Sequence, residues 1–173
     1  TNTVSKITLS MCLADAGIVR VTYFPGAVPE DEPSYAVSPG YSAPGAEIRE
    51  YDEDGVHVVE TSLLRIRIRT EEQKVDFYDV ATDEPLLTDE GGFGRESKDW
   101  TGDARVWIRK NLQETEHFFG LGDKPCALNL RGKYFSMWGA DHYDFHEESD
   151  PLYKSIPFFL SLRERKAYGL LFD

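Results

Sequence analysis

Apolar and polar positions alternate strictly along much of this chain. In Leu64-Arg65-Ile66-Arg67-Ile68-Arg69 every second residue is aliphatic and the others are arginine. Successive side chains of an extended strand point to opposite faces, so the pattern predicts a half-buried strand with its arginines facing water. Val19, Val21 and Tyr23 alternate with Arg20 and Thr22; Val106 and Ile108 with Arg105, Trp107 and Arg109; Phe158, Leu160 and Leu162 with Phe159, Ser161 and Arg163. Further strands are predicted over Val4–Ser10, Val56–Glu60, Lys74–Asp79, Pro85–Leu87, Glu116–Leu121, Lys133–Met137 and Tyr168–Phe172. Turn signals separate them, clearest at Asp15-Ala16-Gly17, Asp54-Gly55, Ala81–Pro85 and Gly91-Gly92. No apolar stripe with a 3.6-residue period persists over a dozen residues. The pattern predicts an all-β, mainly antiparallel sandwich or barrel. Pro25 to Gly45, with five prolines and three glycines, reads as one long irregular surface loop within a single domain spanning residues 1–173. The last predicted strand runs almost to Asp173, which suggests a sandwich incomplete at its C-terminus and a piece of a longer chain.

Composition narrows the functions. Nineteen Lys and Arg against 31 Asp and Glu give a net charge of −12. That field repels nucleic acid and anionic membrane surfaces, and it leaves neutral, hydroxyl-rich ligands and cations open. The longest apolar stretches, such as Phe158-Phe159-Leu160, fall far short of the roughly 20 residues of a membrane-spanning helix. With 173 residues the chain is too short for a (β/α)₈ barrel, which takes about 200 or more. Cys12 and Cys126 lie far apart without a CxxC spacing. They read as two unpaired, partly buried thiols in a reducing compartment, which favours a cytoplasmic location.

Chemistry concentrates between Tyr134 and Tyr153. Tyr134, Phe135, Trp138, Tyr143, Phe145 and Tyr153 are interleaved with Asp141, Asp144, Glu147, Glu148 and Asp150, with His142 and His146, and with no Lys or Arg. Aromatic faces beside carboxylates suit a carbohydrate: sugar C–H faces stack on rings while carboxylates accept hydrogen bonds from hydroxyls. The competing reading is a solvated acidic loop whose aromatics belong to flanking strands. His142 and His146 bracket Asp144, but the spacing is not that of a His-Glu-x-x-His zinc helix, and no metal is expected. Gly120-Leu121-Gly122-Asp123 opens like a dinucleotide fingerprint, yet Pro125 follows and no helix pattern does, so a tight turn leaving a strand is expected and no cofactor. His57 and His117 read as structural or surface histidines. No pair of carboxylates for glycoside cleavage is assignable from spacing.

Several of these pieces carry a resemblance. His117-Phe118-Phe119-Gly120-Leu121-Gly122-Asp123, Leu128-Asn129-Leu130-Arg131-Gly132, Met137-Trp138-Gly139-Ala140-Asp141 and Asp150-Pro151-Leu152-Tyr153-Lys154-Ser155-Ile156-Pro157-Phe158-Phe159, followed by Tyr168-Gly169-Leu170-Leu171-Phe172-Asp173, resemble in order the N-terminal part of glycoside hydrolase family 31, the α-glucosidase and α-xylosidase family. Residues 55–90 resemble that family's mutarotase-like strands. The resemblance implies a galactose mutarotase-like β-sandwich that buttresses a downstream catalytic barrel. Both catalytic carboxylates then lie in the barrel and none in this chain. It also implies that a loop reaches toward an α-glucoside substrate, with Asp141 contacting sugar hydroxyls and His142 lining the neighbouring subsite. The rest of the acidic run, Glu147, Glu148 and Asp150, still reads from composition as solvated. The sequence departs at Trp138-Gly139-Ala140-Asp141, where the family usually has Asn after Trp, and at Asp123, where it usually has Glu. A free-standing carbohydrate-binding module, a mutarotase-like epimerase using His and Glu, and a purely structural sandwich are the alternatives.

Overall fold

The computed structural model describes residues 8–24, 34–38, 40, 41, 45, 47–97 and 104–173. Twelve strands are described: β1 (Thr8–Asp15), β2 (Ile18–Phe24), β3 (Arg49–Glu53), β4 (Val56–Glu60), β5 (Leu64–Arg69), β6 (Lys74–Asp79), β7 (Pro85–Leu87), β8 (Asp89–Ser97), β9 (Ala104–Lys110), β10 (His117–Gly122), β11 (Ser155–Arg163) and β12 (Lys166–Leu171). All pairings are antiparallel between sequence neighbours, and the described residues contain no helix. The described residues are thus all-β. The chain falls into two compact units, Thr1–Asn111 and Leu112–Asp173.

In the first unit β3 to β7 form a five-stranded meander. Its core face carries Val59, Ile66, Ile68 and Val75, all buried. The β1–β2 hairpin lays Met11, Leu13, Val19 and Val21 across that face. Thr61 Oγ1 donates to the Ala16 carbonyl at 2.7 Å and ties the hairpin turn to the bend between β4 and β5. The β5 arginines do not simply face water. Arg65 pairs with Glu60 and Asp83, Arg67 approaches Glu53, and Arg69 pairs with Asp76 and Glu72. Their heads meet carboxylates on other strands and, at Glu72 and Asp83, outside them. Asp76 and Asp89 are both buried and bond reciprocally: Val75 N–H donates to Asp89 and Asp89 N–H donates to Asp76, each at 2.7 Å. Lys110 ion-pairs with Asp89, so β6, β8 and β9 share one polar network.

Two local expectations are corrected here. Gly91-Gly92 is not a turn but the interior of β8, where the register with β9 shifts between Asp89 and Phe93. At φ 68°, a Cβ on Gly92 would collide with the Glu72 carbonyl, so glycine serves a bulge there. Lys133–Met137 forms no strand; it belongs to an irregular excursion from 123 to 154. Most of the 25–45 stretch and the start of the Val4–Ser10 strand lie outside the described residues.

The second unit is the sheet β10-β11-β12 together with that excursion. On β11 the better-buried face is not the leucine face. Ser161 is 1% exposed, whereas Leu160 and Leu162 are about 40% and 39% exposed. The cause is Glu116, itself buried: its carboxylate accepts from Ser161 Oγ at 2.5 Å, Tyr168 OH at 2.8 Å and the Gln113 amide at 2.9 Å. A buried carboxylate has to be satisfied, and it turns the polar side of β11 inward. Phe118, Phe159 and Tyr168 pack edge to face beside it.

Candidate functional site

The Gly-Leu-Gly motif ends β10 as a bulge rather than a turn leaving the strand. Gly120, Leu121 and Gly122 all have positive φ, and the register with β11 shifts across them. A Cβ on Gly120 would lie 2.7 Å from the Phe158 carbonyl, and one on Gly122 would collide with the Lys154 carbonyl. The bulge redirects the chain into the excursion. The Leu128–Gly132 motif secures its first half. Asn129 Oδ1 accepts from the Phe118 and Arg131 amides, and Arg131 Nη1 donates to the Gln113 and Glu116 carbonyls at 2.8 and 2.7 Å.

The second half is clamped at its base. The Lys124 side chain is 2% exposed, ion-pairs with Asp150 and donates to the Ser136 carbonyl at 3.0 Å. The Ser136 amide in turn donates to Asp150. Asp150 is therefore not solvated, contrary to the expectation from composition. Desolvation pushes its carboxyl pKa up, but the bonds from Lys124 and the Ser136 amide prevail and hold it below the ordinary carboxylate value. Glu148 fits the solvated reading better: it is exposed and meets Lys133 at 3.0 Å. Leu152, 3% exposed, anchors the returning strand, and its carbonyl accepts from the Ala140 amide at 3.0 Å.

Above this base the loop is open. Asp141 and His142 are both exposed, as are Trp138 at 73% and Tyr143 at 95%. The aromatics thus do not belong to flanking strands; they stand on the loop itself. Tyr153 OH donates to the His142 carbonyl. Desolvation raises the Tyr153 pKa, and the Asp141 charge raises it further, so the phenol stays a donor. His146 is turned away into a local bond with Ser149 Oγ at 2.8 Å. His57 faces Asp52, and His117 meets Asn129. Among the described residues no three His, Cys, Asp or Glu side chains converge as a metal site would need. Both cysteines are free, and Cys12 is exposed rather than partly buried. A cleft of about 230 Å³ lined by Pro125, Cys126, Lys133, Tyr134, Phe135 and Glu148 lies at the loop base, and neither Asp141 nor His142 lines it.

Chemically, this arrangement offers hydroxyl groups an acceptor on a braced loop, with ring faces beside it. Sequence reasoning singled out Asp141 and His142 through a motif. It missed the bond from Tyr153 OH to the His142 carbonyl, although Tyr153 lies in one of the motifs, and it missed Lys124, whose partner is 26 residues away.

Comparison with known proteins gives a consistent result. Residues 8–173 match the model of the glycosyl hydrolase 31 N-terminal galactose mutarotase-like domain. The chain is 38% identical over 81 residues to α-glucosidase 2 of Bacillus thermoamyloliquefaciens and 36% identical over 69 residues to an α-glucosidase of Saccharolobus solfataricus. These stretches cover 46% and 40% of this chain and 10% of either relative. Among solved structures, a family 31 dextranase of Flavobacterium johnsoniae in complex with isomaltotriose superposes with a TM-score of 0.72 at 30% identity, over 92% of this chain and 19% of that one. A family 31 α-xylosidase of Xanthomonas citri shares the fold at TM-score 0.67 and 20% identity, over 88% and 16% of the two chains. The chain thus spans about a tenth to a fifth of the length of the relatives it matches.

Proposed function

This chain belongs to the glycosyl hydrolase 31 N-terminal galactose mutarotase-like domain family, and we propose that it serves a retaining α-glucosidase-like enzyme as the domain that braces the catalytic barrel and extends one loop into the substrate pocket. One family model runs unbroken from 8 to 173, which supports treating both compact units as parts of a single domain. The same match favours a part of a glycosidase over a free-standing carbohydrate-binding module. The substrate class proposed for the parent enzyme is an α-glucoside, in keeping with the α-glucosidase and dextranase relatives. The catalytic acid and nucleophile belong to the barrel. Asp141 accepts hydrogen bonds from sugar hydroxyls, and His142 lines the adjoining subsite.

The observation that carries the site reading is the contrast within one loop: at its base the Lys124 side chain is shut away from solvent and ion-paired with a part-buried Asp150, while Asp141 is exposed above it. A hydrogen bond to a charged acceptor contributes roughly 1.5–3 kcal/mol. In the full-length enzyme, Asp141→Ala is therefore expected to lower kcat/KM about ten- to a hundredfold with an unchanged melting temperature. An unchanged kcat/KM removes Asp141 from the site, and a large drop in melting temperature makes it a structural residue.

A further inference from the structure

We propose that Lys124 is a positioning residue of this site: lying outside the 134–153 stretch, it fixes the base from which the backbone carrying Asp141 and His142 rises; this rests on the substrate-contacting reading of Asp141. Two limbs lead from that base to the site, 136–142 and 150–153, and bonds join them at three levels. At the base the Ser136 amide donates to the Asp150 carboxylate. Higher up, the Ala140 amide donates to the Leu152 carbonyl at 3.0 Å. Beyond that, Tyr153 OH donates to the His142 carbonyl. Between the second and third levels the limbs run close, since a Cβ on Gly139 would stand 3.5 Å from the Tyr153 carbonyl. Asp141 thus sits between two residues whose backbone is held by the 150–153 limb.

Lys124 grips both limbs at the lowest level. Its ammonium pairs with Asp150, donates to the Ser136 carbonyl at 3.0 Å and lies 5.3 Å from the centre of the Phe135 ring. An ammonium carries three protons, so one head shut away from solvent serves the carboxylate and the carbonyl together. The lysine is itself fixed to the sheet. Its neighbour Asp123, just past the end of β10, donates its amide to the Lys154 carbonyl at 3.0 Å, beside the start of β11. The order of the β10–β11 pair therefore passes through one side chain to both limbs, and through their bonds to the backbone on either side of Asp141. Without the ammonium this tie is gone, and the loop gains freedom that each binding event has to remove again. Lys124 acts through the loop backbone and is not itself placed on the substrate.

The full-length enzyme, assayed on an aryl α-glucoside it hydrolyses and well below the melting temperature of every variant, tests this. Lys124→Met is expected to raise KM about three- to tenfold, with kcat within about twofold of wild type. Lys124→Met/Asp150→Leu removes both charges and also cuts the lowest bond between the limbs. Its melting temperature is expected to return most of the way to wild type while its KM stays raised, a separation that a merely stabilising lysine would not produce. In an Asp141→Ala background the double change is expected to add less than about twofold to KM. An unchanged KM in Lys124→Met, a KM that returns to wild type together with the melting temperature, or an equal effect in both backgrounds each overturn the positioning role while leaving Asp141 in the site. A silent Asp141→Ala overturns the substrate-contacting reading itself, and the positioning role with it.

Discussion

Replacing Lys124 by methionine removes one half of a buried ion pair and keeps most of the side-chain volume. In the native protein the Lys124 side chain is 2% exposed and the Asp150 side chain 15%. Leaving a buried charge without its partner costs about 3–5 kcal/mol. Asp150 keeps the Ser136 amide and some contact with water, so the lower end applies, about 3 kcal/mol. For a protein of this size each kcal/mol moves the melting temperature by roughly 2–4 °C, which gives a drop of about 6–12 °C by calorimetry. The sign of the pH dependence is a sharper test. In the wild type, Asp150 titrates below its ordinary value of 3.8, so its contribution is present above that pH and is lost as the pH falls further. In Lys124→Met, desolvation acts without the ammonium to oppose it. Protonation then relieves the buried charge, and the deficit relative to wild type is expected to shrink as the pH falls from 7 toward 4. Lys124→Met/Asp150→Leu removes both charges and should recover most of the loss. A double variant no more stable than the single one, or a deficit that grows on acidification, refutes the reasoning.

Glu116→Gln sets an amide N–H₂ among three donors, Ser161 Oγ, Tyr168 OH and the Gln113 amide, and is expected to cost about 1–3 kcal/mol in urea unfolding. Gly132 and Gly122 both have positive φ, but only Gly122 faces a neighbouring carbonyl at close quarters. Gly132→Ala should thus cost roughly 1–2 kcal/mol, the left-handed penalty alone, and Gly122→Ala distinctly more, as measured in the same unfolding assay. The chain on its own is expected to turn over no aryl α-glucoside, since a barrel requires more residues than it has; activity that survives contaminant controls contradicts the domain reading.

What the sequence made legible follows from where side chains alternate. β4, β5, β6 and β7 appear at their expected bounds because each sets one apolar face against a core. β3 went unseen because Arg-Glu-Tyr-Asp-Glu has no apolar alternation; it is an edge strand that takes its order from pairing with β4. β8 went unseen because two adjacent glycines signal a turn locally, and only the approach of the Glu72 carbonyl explains why they sit in a strand. On β11 alternation located the strand but not the buried face, since a carboxylate at Glu116 outweighs leucines in deciding it. At the site, Asp141 was legible through a motif. The clamp beneath it was not, because composition shows an acidic run without cations and gives no sign that a lysine from outside folds under it.

The long excursion between β10 and β11 also bears on how the second unit folds. β1 meets β2, β3 meets β4 and β11 meets β12 after only two residues each. The β10–β11 pair instead closes a loop of about thirty residues, and the ordering entropy of a loop grows as (3/2)RT ln n. Relative to a two-residue hairpin this adds roughly 2.4 kcal/mol to the barrier before any contact across the pair repays it. The Lys124–Asp150 bond joins residues near the two ends of that loop, so forming it early shortens the search that remains. Substitutions at the clamp should then slow refolding more than they hasten unfolding, whereas changes at the loop tip near Tyr143 should leave the folding rate untouched.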